Sequence, residues 1–188
     1  MNRHSPRTAV IIGASSGIGE ALAHELNRAG WRLGLLARRL ERLEALRETL
    51  APETVVRSLD VGRRDAAAIL EHVLEELGGV DLAIISAGTG HNNLALHWGL
   101  DVETVTVNVL GFMAVAQVTM RHFLRRGHGH LVGISSIAAL RGNGAGPPTP
   151  LRRPFSQCIS MASGSWRATA DTLSSLLKSS RAVSTQPC

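Results

Sequence analysis

Ala9-Val10-Ile11-Ile12 runs straight into Gly13-Ala14-Ser15-Ser16-Gly17-Ile18-Gly19, and the reading of that join decides the fold. From Thr8 to Ile12 the chain is apolar and β-branched and is bounded by a glycine, which predicts a buried strand. From Gly17 the spacing turns helical, with Ile18, Leu22 and Leu26 on one line, Ala21, Glu25 and Ala29 on the next, and Gly30 as the stop. Strand, glycine turn and helix start bring backbone N–H groups and the positive end of a helix dipole to one spot, which suits a pyrophosphate. Gly13 permits the tight turn, and Gly17 and Gly19 let backbone and helix approach without a Cβ. Gly13, Ser15, Ser16, Gly17, Ile18 and Gly19 are therefore the candidate phosphate-binding set, and the turn has the context that a dinucleotide site requires.

Leu33-Gly34-Leu35-Leu36-Ala37 reads as a second strand, with Arg38-Arg39 immediately after it. In a doubly wound sheet that position faces the adenosine ribose, where an acidic residue favours a free 2′-hydroxyl and an arginine pairs with a 2′-phosphate. NADP(H) is expected ahead of NAD(H). The alternation continues with strands over Val55–Leu59, Val80–Ser86 and Leu131–Ser135, and helices over Ala66–Leu77 and Val102–Arg126.

Over residues 7 to 140 the chain resembles the short-chain dehydrogenase/reductase family. The family's T-G-x-x-x-G-x-G is present with Ile12 in the threonine place, and Asp60-Val61 matches the element after strand three that meets the adenine. Ile85-Ser86-Ala87-Gly88 stands for Asn-Asn-Ala-Gly, so both asparagines are replaced. Asn108-Val109-Leu110-Gly111 matches the helix-borne Asn-x-x-Gly, and Ser135-Ser136 the Ser-Ser after strand five. The resemblance implies an α/β, Rossmann-like, doubly wound parallel sheet of order 3-2-1-4-5. It implies cofactor contacts from Asp60, Val61, Ser86, Ala87 and Gly88, and hydride transfer between NADP(H) and a small alcohol or ketone. It assigns Ser136 to the substrate oxygen and Asn108 to a proton-relay water. A tyrosine of lowered pKa would exchange the proton, helped by a lysine four residues on, because a phenol titrates near pH ~10 and needs a neighbouring ammonium to reach the working range.

Neither of those two groups is in place. The positions that the resemblance implies hold Thr149 and Arg153, the chain has no tyrosine, and its one lysine is Lys178. A threonine hydroxyl is far too weak an acid to substitute. Composition breaks at the same point: residues 1–140 carry 14 basic and 14 acidic side chains, whereas 141–188 carry six basic and one acidic, so the whole net charge of +5 sits in the tail. Two units are expected, a cofactor-binding domain over 1–140 and an aberrant, basic, Ser/Arg/Pro-rich and poorly ordered tail over 141–188, with the family's sixth and seventh strands missing and strand five left as an open edge. From about residue 148 the tail reads as a frameshifted translation. Triplets begun at the third base of each codon give N-A-C across Pro148–Thr149, which is tyrosine when N is T, and then allow lysine four residues on. Across Met161–Ala162 they give G-G-C, glycine without ambiguity. The encoded form is thus expected to be an oxidoreductase by lineage that is inactive as written, the alternative being a non-catalytic NADP(H)-binding protein or disabled remnant.

With 188 residues, 44% of them hydrophobic, the chain is long enough for one domain with a real core. The basic tail carries no aromatic stacking pattern or amphipathic stripe, so no nucleic-acid partner is expected. Val102–Val118 is broken by Glu103, Asn108 and Gln117, so no membrane-spanning stretch is expected. Met1 to Arg7 shows no signal-peptide core and two cysteines make no disulfide framework, so the cytoplasm is expected. His122, His128 and His130 fall on the rim away from the glycine turn and read as a solvated turn, with no metal site. In the intact family a homo-oligomer is usual; here, with the tail changed, that assembly is not expected to form.

Overall fold

The computed structural model describes residues 7–91, 93–134 and 166–167. Within them, β1 (Thr8–Ile12), β2 (Arg32–Ala37), β3 (Val55–Ser58), β4 (Leu82–Ile85) and β5 (His130–Gly133) form a parallel sheet in the order β3-β2-β1-β4-β5. The helices are α1 (Gly17–Arg28), α2 (Leu40–Arg47), α3 (Ala66–Glu76), α4 (Trp98–Val105) and α5 (Phe112–Arg126). A π-helical turn, Thr106–Gly111, joins the last two into one continuous helix. The expected Rossmann-like sheet order is the observed one.

Strand alternation builds two cores from one sheet. On β1, Val10 and Ile12 face a cluster with Leu70, Leu74, Val115 and Phe123 from α3 and α5, while Ala9 and Ile11 face a second cluster with Ala23, Leu43 and Leu46 from α1 and α2. All five β1 residues are buried, as an inner strand covered on both faces requires. Register is continuous, with Ile12 opposite Leu36 on β2 and Ile85 on β4, so the C-terminal ends of three strands finish level beside the glycine turn.

Three expectations need correction. Strand five is not a fully open edge: β6 (Trp166–Arg167) pairs antiparallel with Leu131 and His130, covering the first two of its four residues. The long helix begins at Trp98, four residues before the expected start. Over 29 residues it is long and apolar enough to cross a membrane by length and composition, because the interruptions by Glu103, Asn108 and Gln117 are too few to offset its valines and leucines. Its Val115, Val118 and Phe123 nonetheless belong to the core beneath the sheet. Finally, only His128 fits a solvated turn. His122 is buried on α5, where its Nε2 accepts a hydrogen bond from the Val80 N–H at 3.2 Å.

Candidate functional site

Gly13 ends β1 with φ +96°, and its N–H donates to the Leu36 carbonyl at 2.6 Å, turning the chain sharply away from the sheet. No side chain fits there: a Cβ on Gly13 would lie 2.7 Å from both the Ala87 Cα and the Ser86 carbonyl carbon. At Gly19, in the first turn of α1, a Cβ would collide with the Gly13 carbonyl oxygen and sit 3.0 Å from its carbon. Gly17 (φ +61°) has nothing within 4 Å of its Cβ position, so its requirement is conformational and not spatial. Gly13 lets the β1–α1 turn close on the end of β4, Gly19 lets α1 close on that turn, and Gly17 starts the helix. Ser16 precedes α1 in extended conformation without a side-chain cap bond, so the first helical N–H groups are not engaged by its hydroxyl. That cradle fits the pyrophosphate of a dinucleotide.

A groove runs across this end of the sheet, lined by Gly13, Ser15 and Ser16, by Arg38 and Arg39, by Asp60 and Val61, and by Ser86, Ala87 and Gly88. Ten of the thirteen expected cofactor-binding residues thus meet in one place; Gly17, Ile18 and Gly19 lie in the adjoining helix start, with Ile18 exposed. Ala37, Leu59 and Val107 complete the lining and were not singled out in the sequence, although Ala37 and Leu59 end recognised strands and Val107 lies within the recognised long helix.

The two arginines differ. Arg39 Nη2 donates to Ser15 Oγ at 3.0 Å and to Ser16 Oγ at 2.9 Å, laying its guanidinium on the phosphate-binding turn. Arg38 Nη1 instead lies 3.9 Å from Glu103 Oε1 on α4. Across the groove Asp60 Oδ1 accepts from the Gly62 N–H at 3.0 Å, which fixes the bend after β3. Gly111 lets the π-helical turn close on that bend, since a Cβ there would lie 2.7 Å from the Val61 carbonyl oxygen.

Asn108 sits inside the π-helical turn and brackets the loop after β4. Its Oδ1 accepts from the Thr89 N–H at 2.8 Å and its Nδ2 donates to the Thr89 carbonyl at 2.7 Å. Both ends of the amide are therefore engaged in shaping the loop that carries Ser86, Ala87 and Gly88. A π-turn widens the helix locally and occurs frequently at functional sites. Ser135 and Ser136, and the positions of Thr149 and Arg153, lie outside the described residues.

At the opposite rim, His122 is held below the ordinary imidazole range, first by its burial and then by the Arg126 and Arg125 guanidiniums; Asp81 acts in the other direction. Arg126 donates to the Val80 carbonyl at 2.5 Å and lies 3.5 Å from Asp81, which also accepts from the Thr8 N–H at 2.9 Å. Among the described residues no three histidine, cysteine or acidic side chains group as metal ligands would.

Known proteins share this arrangement. An oxidoreductase of Myxococcus xanthus without an assigned substrate is 38% identical over 148 residues, which are 76% of this chain and 58% of that protein. An actinorhodin polyketide ketoreductase solved with NADPH superposes with a TM-score of 0.68 at 29% identity, over 78% of this chain and 59% of its own. An alcohol dehydrogenase of Thermococcus sibiricus, solved with 5-hydroxy-NADP, gives 0.71 at 28% identity, over 82% and 68%. The chain thus spans little more than half the length of the Myxococcus relative. Residues 7–148 match the family model for short chain dehydrogenases, and the chain belongs to the short-chain dehydrogenase/reductase family.

Proposed function

We propose that residues 1–140 are the cofactor-binding domain of an NADP(H)-dependent oxidoreductase acting on a small alcohol or carbonyl compound, and that the chain as written holds cofactor without ordinary turnover. The observation that carries this reading is Arg39 lying on Ser15 and Ser16, beside a turn where Gly13 and Gly19 leave no room for side chains. When bound, a nicotinamide would supply or accept the hydride. The chain's own residues would hold the cofactor: the glycine turn its pyrophosphate, Asp60 and Val61 its adenine, and Ser86, Ala87 and Gly88 the part towards the nicotinamide. Arg38 and Arg39 offer a 2′-phosphate a charge-assisted partner that a 2′-hydroxyl cannot use. The NADPH and 5-hydroxy-NADP in the two solved relatives support a nicotinamide cofactor in this groove.

Ser136 would polarise the substrate oxygen, but Thr149 and Arg153, in the tyrosine and lysine places, supply no proton at neutral pH. The family match ends at residue 148, where the alternative reading frame begins to give tyrosine and lysine at family spacing, and this supports a frameshift as the origin of the tail from about residue 148. A second reading, a non-catalytic NADP(H)-binding protein, is favoured by the same missing pair. A cytoplasmic location is part of the proposal.

The test is NADPH oxidation with a panel of ketones and aldehydes. The 188-residue chain is expected to show no measurable reduction. The chain with its frame restored from Pro148 is expected to be active, and to lose that activity on Ser136→Ala. Turnover by the unrestored chain at ordinary reductase rates would overturn the inactivity; an inert restored chain would favour the binding protein.

A further inference from the structure

Glu103 lies one helical turn before Val107 on the continuous helix, so the two share a face, and Val107 lines the groove. Its carboxylate links two other segments of the site. Oε1 is 3.9 Å from Arg38 Nη1 at the end of β2, and Oε2 is 3.1 Å from His91 Nε2 in the loop after β4. Arg38 itself lines the groove, whereas the Arg39 guanidinium is engaged by Ser15 and Ser16. A carboxylate is thus held against the one groove-lining guanidinium that is not on the glycine turn.

We propose that Glu103 is a positioning residue for cofactor selection: anchored by His91, it draws Arg38 towards α4 and offsets its charge, so that a 2′-phosphate must compete with Glu103 for that guanidinium. The proposal rests on the dinucleotide reading above. A 2′-hydroxyl is indifferent to that competition. Arg38 and Glu103 are 57% and 42% exposed, so the contest is between solvated charges and is worth about 2–5-fold in affinity. The affinity ratio between NADP(H) and NAD(H) is therefore set by two arginines working against one carboxylate.

Calorimetric titration of the full chain with adenosine 2′,5′-bisphosphate and with 5′-AMP tests this, because the two ligands differ only in the 2′-phosphate. Glu103→Gln is expected to tighten the bisphosphate about 2–5-fold, to leave 5′-AMP within about 1.5-fold, and to have no such effect in an Arg38→Ala background. An equal gain for both ligands, a gain that persists without Arg38, no gain at all, or loss of 5′-AMP binding would each overturn the proposal. If the parent chain binds neither ligand nor NADPH, the dinucleotide reading falls and takes this proposal with it. If the parent binds all three and Glu103→Gln is indistinguishable from it, the proposal alone falls.

Discussion

The Cα of Gly13 faces the backbone of Ala87 so closely that a Cβ on the glycine would lie 2.7 Å from the Ala87 Cα and nearer still to its amide nitrogen. Backbone on both sides leaves nothing flexible to give way, and the φ of +96° is one that side-chain-bearing residues rarely adopt. Gly13→Ala therefore combines overpacking with backbone strain, each worth roughly 1–3 kcal/mol. The variant is expected to lose about 2–5 kcal/mol in urea unfolding and to lose cofactor binding with it. A stability within about 0.5 kcal/mol of the parent would show that β1 and β4 do not meet as described.

Asn108 ties α4–α5 to the loop after β4 through both ends of its amide. Asn108→Ala removes two hydrogen bonds to the Thr89 backbone, each worth about 0.5–1.5 kcal/mol net. Hydrogen exchange is expected to show the Thr89 amide losing protection while β1 amides keep theirs. Unchanged protection at Thr89 would mean that the bracket contributes nothing to the loop.

His122 makes stability depend on pH. Its Nε2 accepts from the Val80 N–H, which only the neutral ring can do, and burial with the nearby guanidiniums lowers its pKa in the folded state. The unfolded chain then binds more protons between the lowered value and the ordinary one of about 6.5. The contribution is accordingly full above about pH 6.5 and is lost as pH falls from there towards the folded value. His122→Phe should flatten this slope while costing about 1–3 kcal/mol at pH 8 through the unpaired Val80 N–H. The same slope in parent and variant would remove His122 as its cause.

Trp98, Val102, Leu110 and Met113 are exposed along the continuous helix. Apolar surface of this kind promotes association. Light scattering of the full chain is expected to show ill-defined aggregates that diminish when Leu110 and Met113 are both changed to lysine. A monodisperse tetramer would contradict the expectation.

The strands were legible because each inner strand is a short apolar run stopped by glycine or charge, and β1 falls at Thr8–Ile12 as its sequence implies. Other features were hidden for identifiable reasons. Arg38 and Arg39 look equivalent as letters, yet successive residues leave a strand on opposite sides, so one reaches the glycine turn and the other the helix across the groove. The start of the long helix at Trp98 carries no buried residue before Val107, which leaves no apolar stripe to announce it. His122 could have been found: Val115, Val118, Thr119 and His122 are spaced as one helix face, and all four are buried.

The most direct measurement is calorimetric titration of the full 188-residue chain with NADPH and NADH, repeated on Arg39→Ala. Arg39 would give a 2′-phosphate a charge-assisted hydrogen bond worth about 1.5–3 kcal/mol, roughly 10- to 150-fold in affinity. NADPH is expected to bind at least about 10-fold more tightly than NADH, with Arg39→Ala erasing most of that difference while leaving NADH within about threefold. Equal affinities for the two cofactors, or a preference that survives Arg39→Ala unchanged, would contradict the assignment of this groove to NADP(H).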